Sequence, residues 1–259
     1  MEQEIAFAFD EKKHVYTLDG RRLYGITNVL SVIAKPSLIQ WAADEAVKYL
    51  GWLNPKYENA EKCLDGAREA LETIKTLSHE EWHKRLCEAR VQHCKKKKAA
   101  GTVGTDVHAL CEEYVKRAIS ENNGLAYPLA NEWGKDGENP MFQKFVNWAV
   151  ENKVQFLASE KKMYSREMWC AGTCDFTAKI KDKLYMGDVK TSGGIYGREY
   201  FFQCAGYVLM AEEHGEKFDA SIIVRLGKDG SFEVRESFDL ESDKNGFRAA
   251  LALFKAMEY

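Results

Sequence analysis

Two alternating segments, "TCDFTAKI" (Thr173–Ile180) and "LYMGDVK" (Leu184–Lys190), are joined through little more than Lys181 and Asp182, and this short connection constrains the fold more than any other feature. Strands joined so closely must pair antiparallel. Whether the loop is Lys181–Asp182 or a symmetric four-residue version, the register is the same: Ile180 meets Lys183, Ala178 meets Tyr185, and Asp175 lies opposite Asp188. A three-residue loop would instead send the two acids to opposite faces.

Side chains alternate along a strand, so Lys190 shares the face of Asp188 while Val189 points the other way. One face then gathers Asp175, Asp188 and Lys190. Opposed like charges destabilise a sheet, and at about 5 Å with an effective dielectric near 20 the repulsion is on the order of 3 kcal/mol. Exposure to water, one shared proton or a bound cation would each offset it. A hard ion such as Mg²⁺ takes carboxylate oxygens and keeps waters for reaction. Beside it a lysine could position water and stabilise developing negative charge.

The flanking chain gives an organisation. "IAFAFDEKKHVYTLDG" predicts an N-terminal hairpin. From Thr27 the apolar spacing turns helical, through "TNVLSVI", "SLIQWAADEAVKYL" and a long run from Ser78 to about Ser120. Ser78 and Glu81 make a capping box there, and Gly101 and Gly104 are expected to divide the run or kink it. A turn-rich stretch leads to a helix over "MFQKFVNWAVEN". Strands follow at "VQFLASEKKMY", "TCDFTAKI" and "LYMGDVK", then a helix over "YFFQCAGYVLMAEEH", strands "ASIIVRL" and "SFEVRESF", and a final helix at about 244–257. The expected architecture is α/β in one domain, 1–259: a hairpin and enlarged helical half over 1–152, and a core over 153–259 with a central mixed sheet flanked by helices.

At 259 residues, 45% hydrophobic and 30% charged, the chain can bury a real core. Its formal net charge of -3 excludes a uniformly basic protein, so nucleic-acid contact would rest on local patches. Seven cysteines without a Cys-x-x-Cys read as reduced thiols. The acidic start is unlike a secretory signal and no stretch approaches a membrane span, so the expected location is the cytoplasm, of a bacterium or a phage-infected cell.

With "GTDVHALCEEY" upstream, "AGTCDF" and "GDVKTS" in the middle and "QCAGY" on the next helix, the chain resembles the PD-(D/E)xK nuclease superfamily. Within it, the order and spacing look like the RecB-type branch, which includes phage-encoded exonucleases and the mitochondrial genome-maintenance exonuclease. The likeness runs from about Thr27 to about Met210. It implies a restriction-endonuclease-like fold and a Mg²⁺- or Mn²⁺-dependent deoxyribonuclease acting in recombination, repair or phage DNA processing, leaving 5′-phosphate and 3′-hydroxyl ends. It further implies Asp175 and Asp188 as metal ligands, Lys190 as the catalytic lysine, His108 as the upstream ligand and the Val189 carbonyl as a further oxygen. Gln203 and Tyr207 match the branch's Gln-x-x-x-Tyr motif, and Glu160 stands where many relatives hold another acid. The partner implied is DNA, as single strands or duplex ends, alongside recombination or replication proteins. No cysteine follows Cys204, so the iron-sulfur cluster of some relatives is not expected.

Other features carry blander readings beside sharper ones. Lys95, Lys96, Lys97 and Lys98 suit a phosphate backbone or a solvated helix end. Thr191, Ser192 and Arg198 flank the Gly193–Gly194 pair and are further candidates for DNA contact. The six tryptophans could include a base-stacking platform, although most suit a core. "HEEWH" fits the His-Glu-x-x-His zinc pattern through His79, Glu80 and His83, but it begins a solvated first turn and lacks a third ligand at the expected spacing. A zinc protease and a non-catalytic DNA-binding relative are therefore the rival readings.

Overall fold

The computed structural model describes residues 6–129 and 131–257. An antiparallel sheet opens the chain, formed by β1 (Phe7–Asp10), β2 (Val15–Leu18) and β3 (Arg21–Arg22), so the expected hairpin gains a third strand. β4 (Tyr24–Gly25) leads into α1 (Ile26–Val29). Helices α2 (Pro36–Tyr49), α3 (Ala60–Thr76), α4 (His79–Arg90), α5 (Gln92–Glu121) and α6 (Pro140–Glu151) come next. The remainder is β5 (Gln155–Ser165), β6 (Cys170–Ile180), β7 (Lys183–Lys190), α7 (Glu199–Glu213), β8 (Ala220–Leu226), β9 (Phe232–Ser237) and α8 (Leu240–Met257).

Local chemistry accounts for most helix starts. Pro36 opens α2, Asn59 accepts the Lys62 amide at the start of α3, and Asn139 with Pro140 starts α6. The Ser78–Glu81 capping box of α4 is present in both directions. One expectation fails. The break in the long helical run falls at Val91, and α5 passes unbroken through Gly101 and Gly104.

The described chain divides into two compact units, Ala34–Val103 and the remainder, with the division falling inside α5. In the Ala34–Val103 unit, Tyr49 of α2 donates its hydroxyl hydrogen to Glu88 of α4 and carries the Arg85 guanidinium 5.4 Å from its ring centroid. Lys96 forms an ion pair with buried Glu45.

The other unit holds a mixed α/β core. Its six-stranded sheet runs β4-β6-β7-β8-β9, with β5 paired to β6. β6 and β7 are antiparallel with Ile180 opposite Lys183 and Ala178 opposite Tyr185, the register that their connection dictates. Lys181 of that turn takes φ 56°, the left-handed backbone a tight connection needs. β7 returns through α7 to parallel β8, and β8 turns back to β9. On one side of the sheet Phe176, Val189, Ile222 and Val224 pack with Tyr114, Phe142 and Phe145 of α5 and α6. On the other, Met186 and Ile223 pack with Ala205, Val208 and Phe247 of α7 and α8. Among the described residues no helix is long and apolar enough to cross a membrane.

Candidate functional site

The site forms where one edge of β6 changes partner. Along that edge β4 pairs with Cys170 and Ala171, β7 pairs with Phe176 through Ile180, and the residues between face neither strand. Gly172, Thr173 and Asp175 therefore open into a cavity of about 1140 Å³. Tyr207 of α7 covers this stretch closely: a Cβ on Gly172 would stand 2.7 Å from its Cε1, so glycine is required for the ring to approach.

Asp175 and Asp188 occupy the register position one step past the last β6–β7 pair, Phe176 with Gly187. The strands part there, and the Asp175 carboxylate accepts the Val189 amide at 2.6 Å. Asp188 is 1% exposed, which would be costly for a carboxylate without partners. Its Oδ1 accepts from Gln203 Nε2 at 3.0 Å. Lys190 Nζ stands 2.6 Å from Oδ2 as an ion pair.

Gln203 ties this group together. Its Oε1 accepts from Lys190 Nζ at 3.2 Å, and its Nε2 also donates to the Tyr207 hydroxyl at 3.0 Å. The two residues lie four apart on α7 and so on one side of it. Val189 turns into the opposite core, as strand alternation requires.

The electrostatics follow from this packing. Burial raises the Asp175 carboxyl well above the usual carboxylate range and neighbouring Asp188 raises it further. For Lys190, burial opposes the ammonium, yet Asp188 and Asp175 outweigh it and the lysine is held above its ordinary value. Burial pushes the Tyr207 hydroxyl well up.

α5 adds a second group of side chains. His108 Nδ1 lies 3.7 Å from Asp175 Oδ2. Burial lowers its pKa and Asp188 works against that, leaving the ring below its usual value and mainly neutral at pH 7. Glu112, one turn on, lines the large cavity, which His108 does not, and pairs with Lys116. Glu160 of β5 stands between Ser159, paired to Phe176, and Lys161, paired to Cys174, which puts it opposite Asp175. It holds φ 47° inside a strand, and burial with the Glu112 charge pushes its pKa to about 7.

The remaining candidates lie elsewhere. Thr191 packs against α5, where a Cβ on Gly104 would stand 2.6 Å from its Oγ1. The Ser192 hydroxyl donates to the Gly194 carbonyl at 3.0 Å, and the Ser192 carbonyl accepts from buried Arg225 at 3.3 Å. Arg198 is drawn to Asp243 at 2.5 Å and is not among the cavity residues. Lys95–Lys98 are exposed on α5 in the other unit, as are His79, Glu80 and His83 on α4. Trp133 and Trp148 are core residues. The seven cysteines are free, and burial lifts the Cys170 thiol to about 12.

Sequence reasoning passed over several cavity residues. Glu112 was legible only as a neighbour of His108, and the hairpin's Phe9 and Tyr16 only as strand alternation. Both aromatics line the cavity, and the Tyr16 hydroxyl meets Thr173 Oγ1 at 2.8 Å.

Among the described residues no three His, Cys, Asp or Glu side chains converge tightly enough to enclose a metal ion. The donor chemistry at Asp175 and Asp188 nevertheless suits a hard cation: two carboxylates with a neutral imidazole beside them.

No family model matches the chain, and no curated protein is similar to it. Among solved structures, the crystal structure of SSO0001 is similar over 57% of this chain and 74% of its own. It is 13% identical with a TM-score of 0.28, a superposition too loose to bear on fold or function.

Proposed function

We propose that this protein is a metal-dependent DNA nuclease that hydrolyses phosphodiester bonds at the Asp175–Asp188–Lys190 centre, working from strand ends. One observation carries the reading. Two acids on neighbouring strands, a partly buried lysine and a glutamine that bonds to both Asp188 and Lys190 meet within one cavity. On this reading the mixed sheet is restriction-endonuclease-like and the chain a RecB-type member of the PD-(D/E)xK nucleases.

Asp175, Asp188 and His108 would hold Mg²⁺ or Mn²⁺, which supplies activation of water and neutralisation of phosphate charge. Each residue then has a distinct task. Lys190 keeps its proton at neutral pH because Asp188 and Asp175 favour the ammonium, so it serves as a fixed positive charge and not as a base. Gln203 fixes Lys190 Nζ and Asp188 Oδ1 together, and Tyr207 holds the glutamine amide. The Val189 amide orients Asp175. Water oxygen forms the new bond to phosphorus, the bond to the 3′ oxygen breaks, and the products carry a 5′-phosphate and a 3′-hydroxyl.

The test is digestion of end-labelled DNA, single- and double-stranded, linear and circular, with Mg²⁺, Mn²⁺ or chelator. Wild type should degrade linear DNA only with metal, and Asp188→Ala should lose at least about a hundredfold in rate. Equal rates in the variant would remove the site. Cutting of closed circles would refute the requirement for ends.

A further inference from the structure

Lys190 is the last residue of β7, and the end of a strand frays unless the chain beyond it is held. The segment that follows, 191–198, contains Gly193, Gly194 and Gly197, which lose more conformational freedom on ordering than any other residue. Yet the Lys190 ammonium stays against Asp188 and Gln203. A hold on the exit of β7 has to come from a neighbouring element.

β8 supplies it. In the parallel β7–β8 register Lys190 lies beside Arg225, as Asp188 lies beside Ile223, so the two cations leave neighbouring strands on one face. Like charges so placed repel, and Arg225 is only 5% exposed, so water does little to separate them. Its guanidinium is drawn instead to β9 and the turn before it. Nε donates to Glu233, its cross-strand partner, at 3.1 Å, and Nη2 donates to Ser231 Oγ at 2.9 Å. Nη1 donates to the Ser192 carbonyl at 3.3 Å, two residues past Lys190.

The β8–β9 turn is shaped around this group. A Cβ on Gly227 would stand 2.6 Å from Arg225 Nη1 and 2.2 Å from Ser231 Oγ, so glycine is what lets them converge. Asp229 fixes Ser231 from the other side, accepting its amide at 3.0 Å and its hydroxyl hydrogen. The Glu233 pair alone would satisfy an arginine that only joined β8 to β9. Every nitrogen of this planar fork has its own acceptor, and one of them belongs to the chain leaving the lysine.

We infer that Arg225 is a positioning residue for the cleavage reaction: it pins the Ser192 carbonyl and so holds Lys190 at Asp188 and Gln203. The inference rests on the function proposed above and adds a residue that acts through Lys190 without lining the cavity.

The test uses two variants of the full chain. Arg225→Lys keeps the charge but cannot reach three acceptors, and Gly227→Ala displaces the guanidinium while removing no charge. Hydrogen exchange of the 191–197 amides and Mn²⁺-dependent cleavage of end-labelled DNA are measured where thermal melts show every variant folded. Exchange should quicken about tenfold in both. Both should lose about tenfold in kcat, with KM within about twofold of wild type. In a Lys190→Ala background the same changes should alter the residual rate by less than about twofold, because the group being positioned is gone. A merely structural role would cost the same factor in either background, so that result would overturn the positioning role alone. Wild-type exchange in both variants, or wild-type kcat in both, would do so too. A wild type that does not cleave DNA, or Lys190→Ala as active as wild type, would overturn the proposed function, and the role of Arg225 with it.

Discussion

Glu160 makes the electrostatic cost of the site measurable without any substrate. Its carboxyl sits in a strand at φ 47°, opposite Asp175, and burial and Glu112 lift its pKa from 4.5 to about 7. A native pKa above the unfolded one means that the folded chain binds the proton more tightly. The contribution to stability is therefore full below about pH 4.5 and is lost as pH rises through about 7. In urea titrations of chelated protein, wild type should lose on the order of 2 kcal/mol from this group between pH 5 and pH 8, after allowance for solvent screening. Glu160→Gln should flatten that part of the profile and be the more stable protein at pH 8. A variant whose profile parallels wild type would mean that Glu160 is solvated and ionised throughout. Asp175 shifts in the same direction, so some pH dependence should persist in the variant.

α5 shows how one helix meets the exit of β7. Glycine inside a helix costs about 1 kcal/mol relative to alanine, yet Gly104 is buried where any Cβ would press on Thr191 Oγ1. Alone, Gly104→Ala should gain nothing, because the threonine must leave its rotamer. In a Thr191→Ala background the same change should stabilise by about 1 kcal/mol, giving a coupling of similar size in a double-mutant cycle followed by thermal melts. Additive effects would disprove the contact. The same glycine explains a misread element. Gly101 and Gly104 look like helix breakers in sequence, but a glycine also permits close approach, and only the packing partner decides between the two. What was readable was local. Turn length and alternation fix the β6–β7 register, and four-residue spacing sets Gln203 beside Tyr207. Glu160 depended on a register shift between Phe156 and Ala158 that no short turn announces. The hairpin wall depended on a hydroxyl contact between Tyr16 and Thr173, 157 residues apart. α3 was overlooked although Asn59 caps it and Leu64 and Leu71 keep helical spacing, and it has no buried residue to mark a core face.

A chain with a net charge of only -3 still concentrates Glu112, Glu160, Asp175 and Asp188 along one cavity, lined entirely by one of its two units. Without a divalent ion, the chain offsets this crowding with Lys190 against Asp188, Lys116 against Glu112, and raised pKa values at Asp175 and Glu160. Each of these is a partial remedy, and unfolding would separate the acids altogether. A divalent cation that binds the folded cavity and not the unfolded chain must therefore stabilise the fold by mass action, by about 2.7 kcal/mol at a hundred times its dissociation constant. For a chain of this length that corresponds to a Tm rise of roughly 5–10 °C. The expected outcome is that Mn²⁺ at saturating concentration raises the Tm of wild type by that amount, chelator reverses it, and sodium chloride of equal ionic strength does not reproduce it. Asp175→Asn combined with Asp188→Asn leaves Lys190 without its counter-charges, so its Tm in chelator should not exceed that of wild type, and it should respond little to Mn²⁺. An equal Mn²⁺ shift in that double variant would mean that the ion binds elsewhere, since no arrangement of the two amides could replace the paired negative charge that attracts it.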